Sequence, residues 1–337
     1  MRAAGESLIT SEVDFSADGK QQGFLRLPHS VHRSAYGWIP IPVASVKNGS
    51  GPRVLLMAGN HGDEYEGQVA LSKLLRRLDP AAVSGQIVIL PMANFPAAKA
   101  GLRTSPLDQG NLNRSFPGDP EGTPTQMIAH YIESVLLQGT DYLLDLHSGG
   151  SSLHYLPSML IGLAPDDPDR ERKLELLKAF GLPYSLLFTQ DRESRFSSSA
   201  AARQGAIAIS TELGGSGSVT PAILAMVEAA LARVLSYIGV LADDGVEPVP
   251  GPTRIMEVGG EDYYCYAPDD GLFEPYVELG DQVRAGQPAG ALHTPETPWR
   301  DPVEVAFERD GLVLCKRVPG RSQRGDCLFH LASDVSS

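Results

Sequence analysis

Cysteine is scarce in this chain. Three occur among 337 residues, Cys265, Cys315 and Cys327, all in the last quarter and none in CxxC spacing. An odd number without paired spacing excludes a disulfide framework and a zinc knuckle. Reduced, mostly buried thiols in a cytoplasmic protein are the expectation. Basic charge is also short, with 28 Lys and Arg against 41 Asp and Glu and a net charge of -13. Nucleic acids and anionic membrane surfaces both require a basic footprint, so neither is an expected partner. No apolar run approaches the roughly 18 residues of a membrane span. The N-terminus lacks a basic region followed by an apolar one. There is no internal repeat and no low-complexity tract. What is present is an ordinary globular composition, 42% hydrophobic and 20% charged, long enough for one large domain and a small one.

Between residues 54 and 239, strand-like apolar runs alternate with helical periodicity. Residues 54–58, 87–90, 142–146 and 207–209 read as strands. Residues 65–78, 126–137, 170–180 and 221–240 read as helices, the last with Pro221 in its first turn. Such alternation predicts an α/β fold with a mixed, mostly parallel sheet and helices on both faces. The stretch before residue 48 reads as strands and turns, with 43–46 an edge strand. Residues 243–252, rich in Pro, Gly and acids, read as a linker. Beyond them, short β-type runs at 263–266, 276–279, 303–307, 312–315 and 327–331 alternate with Gly and Pro turns. That texture predicts a small all-β module. The expected division is a catalytic α/β domain over 1–245, with an N-terminal β extension, and a C-terminal β domain over 253–333.

Ligands of an open α/β sheet bind outside the carboxyl ends of its strands. His61, His147 and Glu212 each follow a predicted strand within a few residues. His61-Gly62-Asp63-Glu64 offers an imidazole and a carboxylate three residues apart, and Asp145-Leu146-His147-Ser148 offers a second imidazole. Two His and one Glu leave one position of a tetrahedral Zn²⁺ open for water, which is a catalytic arrangement. A second Glu nearby could take that water's proton. Asp63 is the weaker ligand candidate beside Glu64, since adjacent residues rarely face the same way. Asp145 shares a face with His147 if both are extended. It could then orient a ligand or serve as a core hydrogen-bonding group. A lone His is ordinarily a surface or core residue, and His29, His32, His130, His154, His293 and His330 are read that way.

Residues 93–118 run long without clear periodicity, and such loops are usually functional. They carry Arg103-Thr104-Ser105-Pro106, then Asp108, then Asn111-Leu112-Asn113-Arg114-Ser115-Phe116-Pro117-Gly118. An Arg beside an Asn suits a carboxylate, and a second Arg could stabilise an oxyanion. Pairing of these arginines with surface acids is the competing reading.

The order His61-Gly62-Asp63-Glu64, Asn113-Arg114, His147, Glu212 resembles the zinc carboxypeptidase superfamily, within its succinylglutamate desuccinylase and aspartoacylase branch. The string Gly59-Asn60-His61-Gly62-Asp63-Glu64-Tyr65-Glu66-Gly67, with 111–118, 145–150 and 211–215, is similar to a bacterial subgroup of N-acetyl-diaminobutyrate deacetylases. The resemblance covers nearly the whole chain. It implies a carboxypeptidase-like fold with one Zn²⁺ per chain held by His61, Glu64 and His147. It further implies Glu212 as general base, Arg103 polarising the scissile carbonyl, and Asn113 and Arg114 holding the substrate carboxylate. Residues 187–201 depart from the subgroup's pattern and immediately precede the Glu212 strand, where they would border the pocket. Gly280-Asp281-Gln282-Val283-Arg284-Ala285-Gly286-Gln287 resembles a biotinyl-lipoyl-type barrel-sandwich. No Lys occupies a carrier-type hairpin there, so no attached biotin or lipoate is expected.

The reading is a cytoplasmic zinc-dependent amidohydrolase that removes a small acyl group from an N-acyl amino acid. A zinc-bound water and a Glu base would perform the hydrolysis. An esterase or peptidase-like hydrolase on the same site is the alternative among enzymes. A zinc- or ligand-binding protein without catalysis is the alternative outside them, and homo-oligomerisation stays open.

Overall fold

A computed structural model describes residues 6–164, 166–242 and 246–335. The N-terminal strands are β1 (Gly19–Pro28) and β2 (Trp38–Asn48). They are followed by β3 (Arg53–Ala58), helix α1 (Glu66–Arg77) and β4 (Gly85–Leu90). After helices α2 (Phe95–Ala100) and α3 (Pro124–Tyr131) come β5 (Tyr142–His147), β6 (Leu153–Tyr155) and β7 (Ser158–Leu163). Helix α4 (Arg170–Phe180), β8 (Tyr184–Thr189), α5 (Ser197–Arg203), β9 (Ile207–Glu212) and α6 (Pro221–Tyr237) complete the α/β part.

The large sheet is mixed. Its centre runs β4-β3-β5-β9 with every ladder parallel, continues antiparallel into β7, and then parallel into β8. The mostly parallel pattern therefore describes this centre, whereas β1 and β2 add antiparallel ladders. Strand β2 is eleven residues long and lies between β1 and β4, so residues 43–46 do not form an edge. Apolar side chains alternate along β3. Val54, Leu56 and Ala58 join one core with α1, α4 and α6, and Leu55 and Met57 join the other with α3 and α5. Helices thus cover both faces, as period-2 alternation of an all-apolar strand requires.

The helix ends follow local chemistry. Thr123 and Gln126 form a capping box on α3, which then continues into a π-helical turn over Ile132–Leu136. Pro221 opens α6 and Gly181, in the left-handed region, closes α4. The loop read at 93–118 contains α2 and a 3-10 turn at Leu112–Arg114. Helix α2 is too short to show periodicity.

Among the described residues beyond 250, the regular elements are β-strands apart from one 3-10 turn at Glu261–Tyr263. They form β10 (Arg254–Glu257), β11 (Tyr264–Tyr266), β12 (Gly271–Pro275), β13 (Pro288–His293), β14 (Val303–Ala306), β15 (Gly311–Arg317) and β16 (Cys327–Asp334). Strands β14, β13 and β12 belong to a separate four-stranded sheet. The others extend the large sheet. Strand β10 pairs parallel with β8, β16 pairs with β10, and β6 pairs with β15. The expected domain limit at 245 falls outside the described residues. Cys265, Cys315 and Cys327 stand unpaired. No helix among the described residues is long and apolar enough to cross a membrane.

Candidate active site

Three segments meet at the carboxyl ends of the central parallel strands. His147 and Glu212 are the last residues of β5 and β9, paired in register across adjacent parallel strands. His61 lies three residues beyond β3. Gly59, with φ +66°, turns the chain there. Gly62 then packs so closely on α2 that a Cβ would lie 2.1 Å from the Ala97 carbonyl carbon, and its N–H donates to the Leu102 carbonyl at 2.9 Å. This seating brings His61 and Glu64 together just ahead of α1.

Glu64 sits between the two imidazoles. Its Oε1 is 2.6 Å from His61 Nδ1, and its Oε2 is 2.9 Å from His147 Nδ1. One donor atom from each residue lies within 4.8 Å of the others, and all three side chains are buried. The far ring nitrogens are engaged. His147 Nε2 lies 2.9 Å from Asp145 Oδ2, and His61 Nε2 lies 3.2 Å from Asn111 Oδ1. Both partners are acceptors, which holds the protons on Nε2 and turns two Nδ1 lone pairs toward a carboxylate. Lone pairs facing an anion repel unless a proton or a cation stands between them. Burial opposes ionisation of Glu64, but His61 and His147 outweigh it and hold its carboxyl well below the usual range. Burial likewise disfavours a charged His147, but Asp145 and Glu64 raise it well above its ordinary value. The set calls for positive charge at its centre. Two imidazole nitrogens and a carboxylate oxygen suit Zn²⁺ with a position left open.

Among the described residues this is the one group with metal-ligand geometry. It borders a cavity of about 320 Å³ whose lining includes Arg103, Asn113, Arg114 and Glu212. Glu212 Oε2 is buried without a partner. Burial, followed by the negative charge of Glu64, pushes the Glu212 carboxyl up to about 8. Arg103 Nη1 reaches Glu64 Oε1 at 3.5 Å and remains half exposed. Arg114 stacks on the Phe196 ring at 4.5 Å, and its Nη1 donates to the Asn113 carbonyl at 2.7 Å. Neither arginine forms a salt bridge to a surface acid among the described residues.

Residues 187–201 contribute Phe188, Phe196, Ser197 and Ser198 to the wall. Ser197 has two tasks. Its Oγ donates to Asp145 Oδ2 at 2.6 Å, and its N–H donates to Asn113 Oδ1 at 2.9 Å. Asp145 also accepts from Asn60 Nδ2 at 2.9 Å, which settles its side chain against His147 rather than in the general core. Asp63 turns away from the ligand set and accepts from Ser151 N and Oγ, both at 2.8 Å.

Tyr155, Tyr264 and His330 also line the cavity. On sequence alone His330 reads as an ordinary surface or core histidine. No local spacing marks it, because it reaches the site only through strand pairing.

Residues 50–238 match the model of the succinylglutamate desuccinylase/aspartoacylase catalytic domain. The chain belongs to the succinylglutamate desuccinylase/aspartoacylase family. Within the reach of that family, it is 44% identical over 333 residues to N-alpha-acetyl-L-2,4-diaminobutyric acid deacetylase of Halomonas elongata, covering 98% of this chain and 96% of the relative. A product-bound structure of the ectoine utilization protein EutE (DoeB) from Ruegeria pomeroyi matches with a TM-score of 0.93 at 36% identity, covering 97% and 99% of the two chains. The crystal structure of a succinylglutamate desuccinylase/aspartoacylase from Rhodobacter sphaeroides matches with a TM-score of 0.91 at 40% identity, covering 98% and 100%.

Proposed function

We propose that this family member is a zinc-dependent deacylase of linear amides. Its substrate would be an N-acyl amino acid of the N-α-acetyl-diaminobutyrate kind named for the Halomonas relative. The observation that carries the reading is the buried, unpartnered Glu212 Oε2, on a residue that pairs in register with His147 and lines the same cavity as His61 and His147. A binding module needs no free base beside its metal. Zn²⁺ held by His61, Glu64 and His147, one per chain, supplies a Lewis acid for the scissile carbonyl and for water.

The chain's own groups do the rest. Glu212 takes a proton from the attacking water and returns it to the leaving amine. Burial, followed by the negative charge of Glu64, raises its affinity for a proton, which suits a base. Arg103, half exposed at the rim, steadies the carbonyl oxygen as negative charge develops. Arg114, held flat on Phe196, presents its planar fork to the substrate carboxylate. With its Oδ1 occupied by Ser197, Asn113 has only its amide N–H groups to offer the same carboxylate. In this reading residues 1–245 form the catalytic domain and 253–333 the β domain that completes the pocket wall.

Metal analysis and steady-state kinetics test the proposal. Purified protein should hold about one zinc per chain and hydrolyse N-α-acetyl-diaminobutyrate. Glu212→Gln should keep the zinc and lose kcat on the order of a hundredfold or more. His61→Ala or His147→Ala should lose the zinc. Full zinc occupancy in both His variants would refute the ligand set, and near-normal kcat in Glu212→Gln would refute the base.

A further inference from the structure

The register of four strands assembles a row of side chains that no short motif reveals. Tyr155 on β6 pairs with Cys315 on β15, Cys315 pairs with His330 on β16, and His330 pairs with Tyr264 on β11. Directly paired residues on one face of a sheet are in contact. The His330 ring lies parallel to Tyr264, with centroids 4.2 Å apart and planes 8° apart, and meets Tyr155 edge-on at 6.1 Å. Tyr155, Tyr264 and His330 all face the catalytic cavity. His330 is 6% exposed. Its Nδ1 lies 3.4 Å from the Tyr155 hydroxyl, and its Nε2 has no partner.

A buried polar atom without a partner carries a desolvation cost, and such an atom in a cavity wall is relieved when a ligand group meets it. Burial lowers the imidazole to about 4, so the ring is neutral near pH 7 and retains one lone pair. In the tautomer whose Nδ1 proton is directed at the Tyr155 oxygen, that lone pair stands on Nε2, and this is the tautomer a donor in the cavity selects. Two further features suit a cation. The Tyr155 ring, unlike that of Tyr264, is not stacked flat on His330 and adds an electron-rich surface to the cavity wall. The Glu212 carboxyl lines the same cavity. Leu160, Leu186 and Val258, packed with Tyr155, carry no charge. In the proposed site the cationic Arg114 is engaged by the substrate carboxylate and Arg103 by the carbonyl oxygen.

We infer that His330 is a specificity residue whose Nε2 accepts a hydrogen bond from a primary ammonium on the substrate's side chain. The inference rests on the deacylase reading. It assigns the C-terminal strands the task of selecting substrates whose side chain ends in an amine over isosteres ending in a methyl or a carboxylate.

The test compares zinc-loaded wild type, His330→Phe and His330→Gln on three N-acetyl amino acids. Their side chains are 2-aminoethyl, propyl and 2-carboxyethyl. Product affinity is measured in parallel by calorimetry with the free amino acids. Wild type should prefer the amine over the propyl substrate by tenfold or more in kcat/KM, chiefly through KM. His330→Phe should reduce that preference to within about threefold while retaining turnover of the propyl substrate. His330→Gln, whose amide oxygen can accept the same bond, should recover part of the preference and keeps the test alive if the Phe variant does not fold. An unchanged preference in both variants overturns the inference and leaves the deacylase reading standing. A wild-type preference for the carboxylate side chain that His330→Phe abolishes also overturns it, because Nε2 would then be a donor. If wild type hydrolyses none of the three, the deacylase reading falls and the inference with it.

Discussion

At the scale of single residues, the candidate site is governed by where protons are allowed to sit. Asp145 and Asn111 occupy the far nitrogens of His147 and His61, and Glu64 faces the near ones. His330 shows the opposite treatment, since burial disfavours its charged form without any carboxylate to offset the loss. The unfolded chain binds a proton at this histidine below about pH 6.5, whereas the folded chain refuses it until about pH 4. The unfolded state therefore holds more protons in that window, and stability falls as pH drops through it. In metal-free protein, wild type should lose about 2 kcal/mol relative to His330→Phe between pH 7 and pH 5. Urea unfolding midpoints of both proteins at the two pH values measure this difference, and parallel curves would mean that His330 accepts its proton normally when folded.

At the scale of elements, a glycine decides whether the ligand loop can be seated. The backbone of α2 stands where a Gly62 side chain would have to go. Gly62→Ala should push the 59–64 turn away from α2, with a stability loss on the order of 2 kcal/mol or more. Bound zinc should drop even under conditions where the variant is folded, and metal content together with thermal unfolding reads both effects. Wild-type zinc content and stability would show that α2 can yield. Sequence legibility divides at the same scale. The helical period of α4 is readable to its observed limits, Arg170–Phe180, and that of α6 nearly so. Strand ends carrying His147 and Glu212 were readable because each closes an apolar run. Strands β7 and β8 and the short helices α2 and α5 were not, because six or seven residues give too little periodicity to separate strand, helix and loop. The two duties of Ser197 were invisible for another reason. Both of its partners, Asp145 and Asn113, are more than fifty residues away.

At the scale of the whole molecule, texture and hydrogen bonding mark different boundaries. Composition changes near residue 250, yet the large sheet runs on through β10, β16 and β15. Leu186 of β8 is packed with Met256, Leu312, Leu314 and Ala332 from the C-terminal strands. A chain ended at residue 250 would leave β8 with an open, apolar edge and β6 without its partner. Such an edge is a template for pairing with other chains. The shortened protein should aggregate on expression, and size-exclusion chromatography after mild solubilisation should find no stable monomer. A well-folded monomer would show that the α/β part stands alone. The uninterrupted sheet also limits what recombination can do with this protein. Exchanging the C-terminal strands with those of a relative would replace a stretch of backbone pairing, an inner packing layer and one wall of the candidate site's cavity in a single event. With His330 as the proposed selector, the choice of substrate would travel with that segment.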